Sequence, residues 1–113
     1  MLNKIVDVVI DRPIYSVHPS HKDIIYEVNY GFIPNTISPI DGEEIDAYVL
    51  GVSEPIKEYR GRVIAIIHRI HDEDKLIVSN QWFTKEEILQ ATNFQEKFFE
   101  SYIEMANPTE ENI

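Results

Sequence analysis

Five short runs of β-branched and apolar residues occupy the first part of the chain. They lie at residues 4–10, 24–30, 46–52, 62–70 and 76–78, and each run predicts a β-strand. Residues 14–23 are predicted to form a loop, and prolines, asparagine and an Asp-Gly pair between residues 34 and 42 predict turns. The pattern therefore predicts strands that are joined by turns rather than by helices.

The apolar period changes near residue 84. Thr84 and Glu87 have the spacing of a capping box, which predicts a short helix that ends near residue 92. From residue 93 onward, apolar residues recur at helical spacing and predict a second helix that ends at residues 107–108. These residues are Phe94, Phe98, Phe99, Tyr102 and Met105. The acidic tail, residues 109–113, is expected to be frayed.

Strands followed by helices are typical of an α+β fold with segregated layers. Turn-linked strands favour a mainly antiparallel arrangement, either a small barrel or a curled sheet, with the C-terminal helix packed on one side. A length of 113 residues leaves room for one domain, residues 1–113.

The charge of the chain narrows the choice of partners. Ten basic and twenty acidic residues give a net charge of −10, which disfavours nucleic acid and anionic membranes as partners. The chain has no cysteine, so disulfides, thiolate zinc sites and cysteine nucleophiles are excluded. No signal peptide and no long apolar stretch is recognisable, and we expect a cytoplasmic protein.

Two acidic segments are candidates for chemistry. Residues 41–46 contain four carboxylates around an Asp-Gly turn, and residues 71–75 place three carboxylates beside a lysine. Both segments could be solvated turns. If they met on neighbouring hairpins, they could instead form a site for several divalent cations and a phosphate ligand.

Several motifs resemble those of the family I soluble inorganic pyrophosphatases, in the order in which that family carries them. Residues 29–33 (Asn-Tyr-Gly-Phe-Ile) and 41–46 (Asp-Gly-Glu-Glu-Ile-Asp) resemble the family's Asn-Tyr-Gly-Tyr-Ile strand and its Asp-Gly-Asp-x-x-Asp metal motif. Residues 10–12 resemble Val-Asp-Arg, residues 72–76 resemble the acidic loop that ends in Lys-Leu, and residues 98–102 are similar to Phe-Phe-Glu-x-Tyr. The resemblance implies a small five-stranded barrel of the OB type with a C-terminal helix, and Mg²⁺-dependent hydrolysis of pyrophosphate.

The resemblance also implies roles for individual residues. The implied metal ligands are Asp41, Glu43, Asp46, Asp72 and Asp74, for Mg²⁺ or for Mn²⁺ in its place, and Glu73 could occupy either position of the second segment. The implied substrate-binding residues are Arg12, Tyr26, Tyr30, Lys75 and Tyr102. Glu43, Asp46 and Tyr30 are the implied catalytic residues, and Glu43 stands where the family has an aspartate.

The chain departs from the family pattern at several places. The N-terminal strand with a lysine and a glutamate is missing, and Ile103 stands where a lysine follows the tyrosine. Six extra residues separate Arg12 from Asn29, and they include His18 and His21, which could replace lost phosphate-binding lysines. The four histidines lack the spacing of a zinc site.

Two alternatives to pyrophosphate hydrolysis follow from these departures. One is a hydrolase for another small phosphoanhydride or a nucleotide. The other is a non-catalytic module that binds metal or phosphate. The sequence also leaves open whether the protein forms a homo-oligomer.

Overall fold

The computed structural model describes residues 1–108, so the predicted frayed tail, residues 109–113, lies outside the described residues. The described chain forms six strands and one helix. They are β1 (Ile5–Arg12), β2 (Asn29–Ile33), β3 (Ile45–Val49), β4 (Glu58–Arg69), β5 (Lys75–Ser79), α1 (Lys85–Glu96) and β6 (Ser101–Met105). No helix within residues 1–108 is both long and apolar enough to cross a membrane.

Five of the strands close into a barrel. The hydrogen-bonded order is β1-β2-β3-β5-β4, and β4 pairs with β1 to complete the ring. All pairs in the ring are antiparallel except β3 and β5, which run parallel. The predicted α+β fold with a five-stranded, mainly antiparallel barrel is therefore confirmed.

Alternating side chains give the barrel two apolar layers. On β3, Ala47 and Val49 point into a cluster to which all five barrel strands contribute. Tyr48 lies between them in sequence and points to the other face, into the helix-side cluster, which contains Ile88 and Phe94 of α1. The five residues of β5 are all buried because this strand is covered by the barrel interior on one face and by the helix layer on the other. The predicted packing of a helix against one side of the barrel is thus confirmed.

The predicted capping box is present at the start of α1. Glu87 N donates to Thr84 Oγ1 at 3.1 Å, and Thr84 N donates to Glu87 Oε1 at 2.8 Å. The helix continues to Glu96, beyond the predicted end near residue 92, because Phe94 is buried in the helix-side cluster and extends the apolar contact.

The predicted second helix is wrong. Residues 101–105 form β6, which pairs antiparallel with β4, and Phe98, Phe99 and Tyr102 are at least 41% exposed instead of forming a helix core. On β6, Ile103 and Met105 face the helix-side cluster while Tyr102 and Glu104 face solvent. This alternation has a period of two, which belongs to a strand, and the pairing with β4 decides the structure.

The predicted second strand begins too early. β2 starts at Asn29, and the preceding residues fold back on residues 15–18 through a bridge between Val17 and Ile25. The buried side chain of Asn29 accepts a hydrogen bond from Ile14 N at 3.0 Å and donates one to Glu54 O at 3.0 Å. Asn29 therefore fixes the loops on either side of β2.

Close packing of two strands explains why residue 31 of β2 is a glycine. A Cβ atom on Gly31 would lie 1.8 Å from Val9 O, because β1 and β2 approach each other closely at that point. Only glycine fits there without a shift of the backbone.

Candidate active site

The ends of several barrel strands meet around an open cavity of about 430 Å³. Arg12 and Arg69 are the last residues of β1 and β4, whereas Tyr30, Asp46 and Lys75 lie at the first or second position of β2, β3 and β5. All five line the cavity. Strand pairing places Arg12 beside Tyr30 and Asp46 beside Lys75, so the topology itself brings these polar side chains to one rim.

Asp46 is the centre of the first group of contacts. Its Oδ2 accepts a hydrogen bond from the Tyr30 hydroxyl at 2.8 Å. The same oxygen forms an ion pair with Lys75 Nζ at 2.7 Å. Lys75 Nζ also donates to Glu73 Oε1 at 2.9 Å, and the lysine side chain is 4% exposed. Burial, together with the Asp46 charge, raises the pKa of the Tyr30 hydroxyl well above its usual value, so this hydroxyl is a permanent donor.

Asp41 and Glu73 form a pair of carboxyl groups beside these contacts. The carboxyl groups of Asp41 and Glu73 are in contact, which lowers the pKa of Asp41. The pKa of Glu73 is raised, first by burial and then by this contact. Glu73 Oε2 is buried and receives no hydrogen bond from any donor within residues 1–108. Two carboxyl groups in contact are stable only with a proton or a cation between them.

The donor set in this region fits a hard divalent cation. Asp41, Asp46 and Glu73 offer carboxylate oxygens, one of them buried and unpartnered within residues 1–108, and Lys75 contacts Asp46 and Glu73. Within the described part of the chain, no three His, Asp or Glu side chains are already arranged around one point as a metal site. The Lys75 ammonium group instead bridges Asp46 and Glu73.

Arg12 differs from the other cations of the cavity. Its Nη1 donates to the hydroxyl of Tyr26 at 2.7 Å, and Tyr26 in turn donates to Gln95 Oε1 at 2.8 Å. No carboxylate among residues 1–108 forms an ion pair with Arg12. A charged guanidinium with only neutral hydrogen-bond partners is suited to an anionic ligand.

A buried network supports the floor of the cavity. Arg69 donates from Nε to Glu96 Oε1 at 3.0 Å and from Nη2 to Glu96 Oε2 at 2.5 Å, and Tyr48 also donates to Glu96. Gln95 links this group to Tyr26. Burial lowers the pKa of Arg69, but hydrogen bonding to Glu96 outweighs this effect and raises it overall. The arginine is therefore permanently charged.

The structure brings only some of the predicted site residues together. Arg12, Tyr30, Asp46 and Lys75 line the same cavity, and Tyr26 accepts a hydrogen bond from Arg12. The remaining predicted residues do not line it and are described in turn.

Asp41 and Glu43 form the predicted turn beside the cavity. Glu43 N donates to Asp41 Oδ1 at 2.9 Å, and Gly42 adopts a positive φ of 74°. Both carboxylates are exposed to solvent. Asp41 reaches the acidic group through its contact with Glu73.

Asp72, Asp74 and Tyr102 have other partners. Asp72 accepts a hydrogen bond from Arg69 at 3.2 Å. Asp74 contacts His68 Nδ1 at 3.0 Å, and the ring of Tyr102 stacks on His68 with centroids 5.0 Å apart. Tyr102 is 60% exposed on the outer face of β6.

Three residues of the site could not be recognised from the sequence. Arg69, Gln95 and Glu96 form the network under the cavity, yet nothing in their local pattern distinguishes them from ordinary polar residues. The burial of two charged residues that are distant in sequence becomes visible only when α1 packs beside the end of β4.

The fold and this rim together define a small β-barrel protein with a mixed acidic and basic site at one end of the barrel. The family model for inorganic pyrophosphatase matches residues 7–112, so the chain belongs to the inorganic pyrophosphatase family. This match confirms the predicted family, and it supports a hydrolase that acts on pyrophosphate and uses a divalent metal cofactor.

Solved structures share the fold. The chain is similar to an inorganic pyrophosphatase from Ehrlichia chaffeensis, with a TM-score of 0.72 and 15% identity over 94% of this chain and 88% of that one. It is also similar to one from Coxiella burnetii (TM-score 0.61, 16% identity, 93% and 85% coverage). A third, from Helicobacter pylori, has a TM-score of 0.57 and 18% identity at 92% and 83% coverage. The comparison with curated proteins gives no match.

Proposed function

We propose that this chain hydrolyses inorganic pyrophosphate to two phosphates at the rim cavity, with Mg²⁺ as its cofactor. One observation carries the proposal. Tyr30, Asp46 and Lys75 form a hydrogen-bonded group in the same cavity as Arg12, which forms no ion pair with a carboxylate of residues 1–108, and Lys75 also binds Glu73 outside the cavity lining. Such a site has an acidic part for cations and a basic residue for phosphate.

The acidic residues would hold the cation. Asp41, Asp46 and Glu73 are linked by contact or through Lys75, and Glu43, Asp72 and Asp74 complete the proposed set. Mg²⁺ prefers oxygen ligands of this kind, and Mn²⁺ could take its place. When bound, the metal neutralises phosphate charge and lowers the pKa of water.

The protein side chains would bind and orient the substrate. Arg12 pairs with oxygens of one phosphate group, and Tyr30 and Lys75 fix the carboxylate of Asp46. Lys75 is proposed to exchange its carboxylate partners for phosphate oxygens when the acidic residues bind cations. Tyr26 positions the Arg12 guanidinium through its hydroxyl group. Tyr102 does not line the cavity, and its contact with phosphate remains a prediction.

The reaction adds one water molecule across the phosphoanhydride. The water oxygen bonds to one phosphorus atom, the bond between that phosphorus and the bridging oxygen breaks, and the bridging oxygen leaves with the second phosphate. Glu43 and Asp46 are proposed to orient this water and to accept its proton, which ends on the phosphate products. Their position on the turn and start of β3 places both in one segment.

The test is the release of phosphate from pyrophosphate by the purified protein. We expect release with Mg²⁺ that stops when a chelator is added. Catalysis by the proposed site would be refuted if neither Mg²⁺ nor Mn²⁺ produced phosphate above the blank, and a binding module would then be the better interpretation.

A second candidate function is the hydrolysis of an organic phosphoanhydride. The cavity wall includes Ile24, Phe98 and Phe99, and the two phenyl rings are 59% and 41% exposed. Pyrophosphate has no apolar group that could pack against this wall, whereas the aromatic base of a nucleoside could pack against it. A nucleotide panel in the same phosphate assay compares the two substrates directly.

Location and partners are part of the proposal. We propose a cytoplasmic protein that binds neither nucleic acid nor membranes, because a net charge of −10 repels both kinds of polyanion. A homo-oligomer remains a prediction, which light scattering of the purified protein would measure.

A further inference from the structure

The segment between β1 and β2 forms a defined hairpin beside the cavity. Tyr15 N donates to Tyr26 O at 2.7 Å, Tyr26 N donates to Ser16 O at 2.8 Å, and His18 N donates to Ile24 O at 2.9 Å. These bonds pair residues 15–18 with residues 24–26. The tip of this hairpin contributes His18, His21, Asp23 and Ile24 to the cavity lining.

The hairpin fixes the tautomer of His18. Ser20 N donates to His18 Nδ1 at 3.0 Å, so this nitrogen is an acceptor and carries no proton. The proton of the neutral ring is then on Nε2, which is available as a donor. Burial, followed by the nearby charge of Arg12 and by His21, lowers the pKa of His18. A lowered pKa favours the neutral ring, whose one N–H donor is Nε2.

His18 lies close to the groups that suit a phosphate. Its ring stacks on Tyr26, with centroids 5.9 Å apart, and Tyr26 is the residue that holds the Arg12 guanidinium. The ring of His21 is 5.0 Å from that of His18. Asp23 is the one carboxylate that this hairpin contributes to the cavity lining.

We propose that Arg12, His18 and His21 form a phosphate-binding subsite, in which His18 donates a hydrogen bond from Nε2 to a phosphate oxygen. The ligand class is an inorganic phosphate group, either free or as one end of pyrophosphate. This inference rests on the proposed function for its substrate, but the binding of free phosphate tests it without turnover.

The alternative role for His18 is packing alone, as a ring stacked on Tyr26. Two substitutions separate these roles. His18→Phe keeps an aromatic ring for stacking and removes the donor, whereas His18→Gln keeps an N–H donor and removes the ring. Lys22→Gln is the matched control, because Lys22 is exposed on the same hairpin and does not line the cavity. This substitution removes a full positive charge.

The experiment is a calorimetric titration of inorganic phosphate into each variant in the presence of Mg²⁺, with melting temperatures recorded for all of them. A hydrogen bond to a charged group implies that His18→Phe weakens phosphate binding by about tenfold or more. We expect His18→Gln to stay within about threefold of the wild type by the same reasoning, and Lys22→Gln to bind like the wild type.

Several outcomes would overturn the subsite. They are wild-type affinity in His18→Phe, equal weakening in His18→Phe and His18→Gln, weakening in Lys22→Gln as large as in His18→Phe, or no phosphate binding by the wild type. Pyrophosphate hydrolysis is measured on the same preparations. Absence of turnover with the expected phosphate affinities would count against the proposed function and leave the subsite supported.

Discussion

The buried pair of Arg69 and Glu96 allows a sharp prediction about stability. Their side chains are 5% and 7% exposed, and Glu96 also accepts a hydrogen bond from Tyr48. Replacing Glu96 by Gln keeps the size of the side chain but removes its charge. Arg69 would then be a buried cation whose remaining carboxylate partner in the described structure is Asp72, at 3.2 Å and 38% exposed.

The size of the effect follows from this burial. Removal of one partner of a buried ion pair typically costs about 3–5 kcal/mol. Because Asp72 still compensates part of the Arg69 charge, we expect a loss near the lower end, about 3 kcal/mol. For a domain of this length, that loss corresponds to a fall in melting temperature of roughly 10 °C.

Urea unfolding measures this loss. The slope of the free energy of unfolding against urea concentration should be unchanged if the folded and unfolded states keep their compactness. Glu100→Gln is the matched control, since Glu100 is an exposed carboxylate four residues further along. It should change the free energy of unfolding by less than about 0.5 kcal/mol. The double variant Arg69→Met with Glu96→Leu should recover most of the stability, because neither charge of this pair remains buried.

A loss below about 1 kcal/mol in Glu96→Gln would refute this reasoning. It would mean that Arg69 is solvated or compensated in a way that the observed contacts do not provide. A large loss in Glu100→Gln would equally contradict it, since the effect would then not be specific to the buried pair.

Two further predictions concern metal and pH. Mg²⁺ at a hundredfold excess over its Kd should stabilise the fold by about 2.7 kcal/mol and raise the melting temperature by several degrees more than NaCl of equal ionic strength, and equal shifts would contradict a cation site. His68 contacts Asp74 at 3.0 Å and Glu104 at 2.9 Å, and although burial lowers its pKa, these carboxylates outweigh burial and raise it overall. Its contribution to stability is therefore complete below the unfolded pKa of about 6.5 and is lost as pH rises through the raised folded pKa. In chelator, the difference in unfolding free energy between wild type and His68→Gln should shrink from pH 6 to 9, and a difference that is constant with pH would contradict this assignment.

The strands, the turns and the start of the helix could be predicted because the sequence signals for them are local. β-branched runs, turn residues and the Thr84–Glu87 capping box each act over a few residues, and the structure retains all three. The end of the chain was predicted wrongly for a related reason. Phe98, Phe99 and Tyr102 have helical spacing, but residues 101–105 pair antiparallel with residues 65–69 of β4. A local pattern cannot show that this strand edge is available.

Part of the candidate site was also accessible from the sequence. Motif order placed Arg12, Tyr30, Asp46 and Lys75 in one site, and the strand pairing brings them to one rim. The network of Arg69, Gln95 and Glu96 was not predictable, because its partners come from β4 and α1 and meet only through packing. The contact of Glu104 with His68 depends in the same way on the position of β6.

The most direct test of the account is the rate of phosphate release from pyrophosphate with Mg²⁺ in three proteins. The wild type should be active, and Asp46→Asn should be about a hundredfold slower, because the charge that Tyr30 and Lys75 hold in place is lost. Asp7→Asn removes an exposed carboxylate that pairs with Arg60 outside the cavity, and it should keep the wild-type rate. Near-normal turnover by Asp46→Asn, with the wild type active, would show that the reaction does not take place at this rim.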